Sequence, residues 1–283
     1  MTSRLRAERV TLRYDERVVA SDLTVHVPDD SFTVVVGPNA CGKSTLLRAL
    51  ARLLRAAGGE VYLDDAPIRS RPAKETSRRL AMLPQAPTAP DGITVVDLVA
   101  RGRFPHQGLL RQWSVQDEEA VRRAMSATGV TDLADRPAGE LSGGQRQRVW
   151  LAMVLAQDTG ILLLDEPTTF LDVAHQIEVL DLCRDLHEDQ GRTVVAVLHD
   201  LNHAARYATH LVAMRDGRVV AEGPPHEVVT AERVEEVFGL PCRVVEDPVT
   251  GAPLVLPLDR RRTRTVSAAA GPSGAPTGTP SRW

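Results

Sequence analysis

Cysteine is scarce in this sequence. The chain holds three, Cys41, Cys183 and Cys242, which are widely separated and form no CxxC pair. A disulfide framework would need an even set of cysteines at short spacings, and a structural zinc site would need paired ligands. The sequence therefore argues against both, and a reducing cytoplasm is the expected compartment.

Long apolar runs are also missing. A helix that crosses a bilayer needs about 20 mostly apolar residues, and the runs at Val149–Ala156 and Ile161–Leu164 are much shorter. The opening residues, MTSRLRAERVTLRYDER, carry charges throughout and lack the apolar segment of a secretory signal. We expect the protein to stay inside the cell and to need a partner for any work at a membrane.

Neither sign of charge dominates. The 34 basic and 37 acidic residues give a net charge of -3, so no overall positive field would attract nucleic acid, and no nucleic-acid partner is expected. Hydrophobic residues make up 43% and charged residues 25%, an ordinary globular mixture. At roughly 150 residues per domain, the chain suits one large or two modest domains.

The order of apolar patterns predicts an α/β fold. Short β-rich runs, including VVASDLTVHV and FTVVV, come before Val36. From Lys43 a helix is expected to end at Gly58–Gly59, and one face of it would hold Leu46, Leu47, Leu50, Leu53 and Leu54. Strand runs return at ILLL and TVVAVL, with a helical pattern between them. We expect a mostly parallel core sheet flanked by helices, with an N-terminal antiparallel β subdomain.

Three further segments complete the organisation. Residues 86–155 lack strong strand runs after Val99 and are interpreted as a helical insert. Asp216-Gly217 stands between two apolar runs, which predicts a hairpin. Residues 260–283 are rich in Arg and then in Ala, Gly, Pro, Ser and Thr, so we expect one domain over residues 1–259 and a disordered tail. Contact of the Arg cluster with anionic lipid is the alternative for the tail.

One segment matches the phosphate-binding pattern G-x-x-x-x-G-K-[ST] between a strand and a helix. Its residues are Gly37, Pro38, Asn39, Ala40, Cys41, Gly42, Lys43, Ser44 and Thr45. Backbone N–H groups of such a loop and of the following helix point at phosphate. Lys43 is expected to reach the β- and γ-phosphates of ATP, and the Ser44 hydroxyl to bind Mg²⁺. An ordinary glycine turn before a helix is the alternative.

The run ILLLDEP ends a buried strand with two carboxylates, Asp165 and Glu166. In a phosphate-loop protein this arrangement delivers Asp165 to the Mg²⁺ shell and leaves Glu166 to orient and deprotonate water. Taken by itself, the run would be better explained by a solvated pair of acids, and the phosphate loop reverses that preference.

The segment LSGGQRQRVWLAMVLA, from Leu141, separates this chain from other phosphate-loop NTPases. Here the sequence resembles the ATP-binding-cassette (ABC) ATPases, whose LSGGQ signature it matches residue for residue. The signature residues Ser142, Gly143, Gly144 and Gln145 precede a helical pattern and so form a second helix N-terminus suited to phosphate. A helix cap without a ligand is the alternative.

The resemblance implies roles for four further residues. Tyr14 corresponds to the aromatic that stacks on adenine, although a half-buried strand tyrosine explains it nearly as well. Gln85 corresponds to the glutamine that reaches Mg²⁺ or the attacking water and links nucleotide to the membrane partner. Asp172 corresponds to the D-loop aspartate, and His199 to the switch histidine near the γ-phosphate. In FLD, Phe170 replaces the small residue more frequent in the family.

Three stretches resemble the ATPases of ferric-siderophore importers: TVVDLVARGRFPHQ, EPTTFLDVAHQIEVLDL and LHDLNHAARYATHLVAMRDG. This implies an ATPase that closes as a homodimer on ATP, on the cytoplasmic face of the cell membrane, against transmembrane permease subunits. An extracytoplasmic substrate-binding protein would be an indirect partner. The ATPases of cobalamin and haem importers share much of this sequence, so import of cobalamin or haem remains the alternative. A soluble ABC ATPase acting away from membranes is disfavoured because the sequence has a single phosphate loop. A nucleotide-binding scaffold is disfavoured because the catalytic set is intact. An exporter half is disfavoured because the sequence shows no fused membrane domain.

Overall fold

The computed structural model describes residues 3–108 and 113–258. The strands are β1 (Leu5–Tyr14), β2 (Arg17–Val27), β3 (Phe32–Val36), β4 (Gly58–Leu63), β5 (Ala66–Pro67), β6 (Leu80–Leu83), β7 (Ile161–Asp165), β8 (Thr193–Val197), β9 (His210–Arg215), β10 (Arg218–Gly223), β11 (Cys242–Glu246) and β12 (Pro253–Pro257). The helices are α1 (Lys43–Leu50), α2 (Ala73–Ser77), α3 (Val95–Ala100), α4 (Val115–Ala127), α5 (Gly143–Ala156), α6 (Val173–Glu188), α7 (Leu201–Tyr207), α8 (Pro225–Val228) and α9 (Ala231–Phe238).

The core is a sheet of order β10-β9-β3-β8-β7-β6, parallel except for the edge strand β10. Its two faces pack against different layers because side chains alternate along a strand. Val34 and Val36 join the cluster built with α3, α5 and α6, whereas Val35 joins the cluster built with α1 and the N-terminal strands. Burial on both faces explains why ILLL and TVVAV are continuously apolar.

A second sheet, of order β2-β1-β4-β5, is antiparallel and covers α1. The predicted fold class, a mostly parallel sheet flanked by helices with an N-terminal antiparallel subdomain, is therefore confirmed. Between β6 and β7 the described residues form α3, a 3-10 helix at Arg101–His106, α4 and α5. Among the described residues, none of the helices has the length and apolar character that crossing a bilayer requires. The predicted tail, residues 260–283, lies outside the described part of the chain.

The predicted length of the first helix is wrong. α1 ends at Leu50, and Arg52 adopts a φ of 65°, which breaks the helical path. The N–H groups of Leu53 and Leu54 both donate to the carbonyl of Arg48, so these leucines close a turn instead of extending the apolar face. Gly58 and Gly59 begin β4. At Gly59, where φ is 70°, a Cβ would lie 2.2 Å from the carbonyl oxygen of Arg9, so the glycine serves strand pairing.

Candidate functional site

The predicted phosphate loop connects β3 to α1 at the carboxyl edge of the core sheet. Gly37 and Gly42 have φ values of 152° and 107°, which favour glycine. At Gly37 a Cβ would come within 2.1 Å of the Met214 carbonyl oxygen. Gly42 is the N-cap of α1, no side chain among the described residues caps it, and the first turn holds no acidic residue. The N–H groups of this turn thus face the loop as an anion site.

The ammonium of Lys43 lies over the same loop. Its Nζ donates to the carbonyl oxygens of Gly37 at 2.8 Å and of Pro38 at 2.9 Å, and the residue is buried. Cys41 is also buried, and burial raises the pKa of its thiol despite the opposing charge of Lys43. Cys41 is therefore a packing residue of the loop, and its thiol stays protonated.

Ser44 and Asp165 meet across the sheet edge, since Ser44 follows β3 through the loop and Asp165 ends β7. The Ser44 hydroxyl donates to Oδ1 of Asp165 at 2.8 Å. Oδ2 of Asp165 is buried and has no hydrogen-bond partner among the described residues. Burial raises the pKa of Asp165, partly offset by the Ser44 hydrogen bond. A hydroxyl beside an unpartnered carboxylate oxygen fits Mg²⁺, which takes few protein ligands and adds phosphate oxygens and water.

Glu166 and His199 form the second polar pair of the site. Nε2 of His199 lies 2.6 Å from Oε1 of Glu166, and the Thr169 hydroxyl donates to the other oxygen, Oε2, at 3.2 Å. Glu166 has a φ of 53° and is 8% exposed. The carboxylate is thus held from two sides at the end of β7. The role of Thr169 was not predicted from the sequence. The feature that could have indicated it is a hydroxyl three residues after Glu166.

A cavity of about 640 Å³ is lined by residues of the phosphate loop together with Glu166 and His199, whereas Gly37, Pro38, Cys41 and Asp165 are not among the residues that line it. Arg17 and Val19, at the start of β2, are lining residues that the sequence analysis missed. Tyr14 stands at the rim, 40% exposed, and its hydroxyl accepts a hydrogen bond from Arg48 at 3.2 Å. The predicted site residues that line the cavity are Tyr14, Asn39, Ala40, Gly42, Lys43, Ser44, Thr45, Gln85, Glu166 and His199.

The signature residues lie elsewhere, and among the described residues they do not line this cavity. Ser142 caps α5: its hydroxyl accepts from the N–H of Gln145 at 3.2 Å, and Oε1 of Gln145 accepts from the N–H of Ser142 at 3.1 Å. Gly143 and Gly144 leave room beside the signature for Phe170 and Leu171, since a Cβ at either glycine would lie 3.3 to 3.4 Å from those side chains.

Asp172 also lies outside the cavity lining. It caps α6, accepting from the N–H of His175 at 3.0 Å, and this hydrogen bond lowers the pKa of its carboxyl. The N-termini of α1 and α5 are therefore separate, and the N-terminus of α1 borders the cavity that Glu166 and His199 line.

Comparison with known proteins places this geometry in a family. Residues 20–169 match the family model described as "ABC transporter". The chain is 55% identical over 265 residues to the ferric enterobactin transport ATP-binding protein of Escherichia coli, covering 94% of this chain and 98% of that one. It is 53% identical to a probable siderophore transport system ATP-binding protein of Bacillus subtilis, covering 92% and 94%. A solved inward-facing putative metal-chelate type ABC transporter matches with a TM-score of 0.77 at 27% identity, covering 93% of this chain and 100% of the matched chain.

Proposed function

The chain belongs to the ABC transporter family as an ATP-binding subunit, and we propose that it hydrolyses ATP to energise uptake of a ferric siderophore through a separate membrane permease. One observation carries the proposal: the similarity to the ferric enterobactin transport protein spans nearly the whole of both chains. The similarity therefore includes the segments between the ATP-binding motifs as well as the motifs themselves.

ATP binding is assigned to the cavity at the phosphate loop. The free N–H groups at the start of α1 would hold the phosphates, and Lys43 would exchange its two carbonyl partners for β- and γ-phosphate oxygens. Tyr14, exposed at the rim, offers a ring face for adenine. These assignments rest on the shape of the loop and on the burial of Lys43.

Ser44, Asp165 and Gln85 are proposed to hold Mg²⁺ together with the phosphates. The pairing of Ser44 with Asp165 and the unpartnered oxygen of Asp165 support the first two, and the position of Gln85 in the cavity lining supports the third. The ion would neutralise charge on the β- and γ-phosphates.

Glu166 is proposed as the base that orients water and accepts its proton. A general base must lie within hydrogen-bond reach of its proton donor, and the carboxylate borders the same cavity as Lys43 and Ser44. His199, half exposed and bonded to Glu166, would contact the γ-phosphate. Thr169 would fix the second carboxylate oxygen.

Completion of the site is assigned to a second copy of the chain. The signature N-terminus at Ser142 to Gln145 is separate from the cavity, so it would serve the γ-phosphate bound to a partner subunit. Asp172, next to the signature through Phe170 and Leu171, would lie at this interface. ATP then favours the closed homodimer, and hydrolysis favours reopening.

The permease is proposed to dock on residues 86–106, which follow Gln85. A groove of about 650 Å³ lies here, and Phe104 and Trp113 at its wall are 58% and 47% exposed. Exposed aromatic side chains beside a groove are typical of a protein interface. The subunit would thus be peripheral on the cytoplasmic face of the membrane, and it would meet the extracytoplasmic substrate-binding protein only through the permease. Cysteine cross-links from residues 86–106 to the permease's cytoplasmic loops test the docking.

Uptake by a deletion strain tests the cargo. The strain should lose uptake of a radiolabelled ferric hydroxamate or catecholate and regain it with the wild-type gene. Unchanged iron-chelate uptake together with lost cobalamin or haem uptake would overturn the siderophore assignment while leaving the ATPase intact.

A further inference from the structure

The stretch RGRFPH, one of the segments that resemble siderophore importers, has two opposite sides. Arg101 and Phe104 are exposed toward the permease groove, whereas Gly102 and Arg103 are buried. We call Arg101–His106 the docking segment. Its buried side faces α5, the helix that begins with the signature.

Gly102 allows the docking segment to touch the backbone of α5. A Cβ at this position would lie 2.2 Å from the carbonyl oxygen of Met153 and 3.2 Å from Cβ of Ala156. Any side chain here would have to push the docking segment away from the last turn of α5, because the nearest atom belongs to the backbone.

Arg103 connects the docking segment to α4 and to α5 by hydrogen bonds. Its Nε donates to Oδ1 of Asp117 on α4 at 2.8 Å, and its NH1 donates to the carbonyl oxygen of Ala156 at 2.8 Å. The Arg103 and Asp117 side chains are 7% and 1% exposed. The last carbonyls of a helix lack intrahelical donors and carry partial negative charge. A guanidinium there is favourable because it supplies a hydrogen-bond donor and places a positive charge beside them.

Two more residues extend the connection beyond α5. Nε2 of His106 lies 2.7 Å from the carbonyl oxygen of Gln157, and since a carbonyl only accepts, Nε2 carries the proton. The Gln157 side chain in turn donates to the carbonyl of Leu80 at 3.1 Å, at the start of the strand that leads to Gln85. The docking segment therefore contacts both the end of the signature helix and the strand of the glutamine loop.

We propose that Gly102 and Arg103 are positioning residues that transmit movement of the permease through α5 to the signature at its other end. The inference rests on the proposed function. The 14 residues of α5 span about 21 Å at 1.5 Å per residue. A hydrogen-bonded helix that is held at its C-terminal end moves as one body. Displacement of the docking segment therefore moves Ser142 to Gln145 relative to the γ-phosphate of the ATP bound to the partner subunit.

The test uses the complete transporter, purified with its permease and reconstituted in vesicles. Gly102→Ala inserts one methyl group between docking segment and helix. The double variant Arg103→Met/Asp117→Asn removes the bond to Ala156 without leaving a buried charge unpaired, and the amide can still accept from the N–H of Ser114. Gly108→Ala is the matched control, since a Cβ there meets none of the described atoms within 4 Å.

Both variants should bind ATP in the free subunit and co-purify with the permease as the wild type does. Stimulation of their ATPase by the permease should fall by about fivefold or more, in the range of ordinary allosteric coupling, while Gly108→Ala keeps it. Full stimulation in either folded variant, or loss of permease binding in both, would overturn the inference. ATPase stimulation needs no knowledge of the cargo, so a wild-type transporter that is stimulated yet moves no iron chelate would count against the proposed function alone.

Discussion

Nε2 of His199 lies 2.6 Å from Oε1 of Glu166, and both side chains border the cavity that the phosphate loop lines. Glu166 directly follows β7 and His199 lies in the loop after β8, so the pairing of these adjacent parallel strands brings the two residues into contact. The carboxylate and Lys43 line the same cavity. The contact thus links the proposed γ-phosphate contact, His199, to the proposed base, Glu166.

Glu166→Gln should keep ATP binding and reduce hydrolysis by about 10²- to 10⁴-fold, because the amide can still hold water but cannot take its proton. Steady-state phosphate release, with a nucleotide titration on the same protein, measures both. Glu188→Gln, an exposed position at the end of α6, is the control. Near-wild-type turnover in Glu166→Gln would remove this residue from its role.

Lys43→Ala should instead weaken ATP binding. Hydrogen bonds to a charged group contribute about 1.5 to 3 kcal/mol, so the dissociation constant should rise by roughly 10- to 100-fold. Isothermal titration with ATP·Mg²⁺ measures it, with Lys74→Ala, on α2, as the control for lost charge. An unchanged affinity would show that the ammonium keeps its carbonyl partners in the bound state.

Ser142→Arg should prevent ATP-driven dimerisation when added to Glu166→Gln. A cation of this size at the N-terminus of α5 would block close approach of the partner's phosphate, while the cavity that binds ATP stays intact. Light scattering with and without ATP·Mg²⁺ provides the measurement, and Ser126→Arg, exposed on α4, controls for the added charge. Equal dimerisation of the single and double variants would refute the shared site.

The buried pair of Arg103 and Asp117 should make stability depend on pH. Burial opposes ionisation, but hydrogen bonds from Ser114 and Arg103 outweigh it and hold the pKa of Asp117 below its ordinary range. Its contribution is therefore present above the unfolded-state pKa of about 3.9 and lost as pH falls through the folded value.

Urea unfolding from about pH 6 down to pH 3 should thus show a shallower loss of stability in Arg103→Met/Asp117→Asn than in the wild type. The exposed pair Arg233 and Glu236, replaced by Met and Gln, is the control and should track the wild type. If the free energy of unfolding falls equally with pH in Arg103→Met/Asp117→Asn and in the wild type, the result would contradict this role of the buried pair.

Local signals made part of this fold predictable. The hairpin at Asp216-Gly217 forms as expected because both residues take positive φ, 49° and 75°, which these residue types tolerate. The end of α1 was not predictable, because leucine periodicity continues past Leu50, whereas Arg52 adopts a φ of 65°, which a residue of this type seldom takes.

The site, like the fold, was predictable from the sequence only in part. The lining residues between Asn39 and Thr45 belong to one contiguous motif, and its spacing identifies them. Tyr14, Gln85 and His199 were predicted from the family resemblance, and Arg17 and Val19 were missed. Thr169 and Arg103 have no such pattern, since each acts on a partner brought close only by folding: Glu166 for the first, and Asp117 with Ala156 for the second. Their roles follow from distances.

Transport by reconstituted vesicles tests the central claim most directly. The wild-type subunit with its permease and substrate-binding protein is compared with the same complex carrying Glu166→Gln, with ATP·Mg²⁺ on the side of the subunit. We expect radiolabelled ferric siderophore to accumulate only with the wild type, together with phosphate release. Equal accumulation in the two complexes, or accumulation without ATP, would contradict the account.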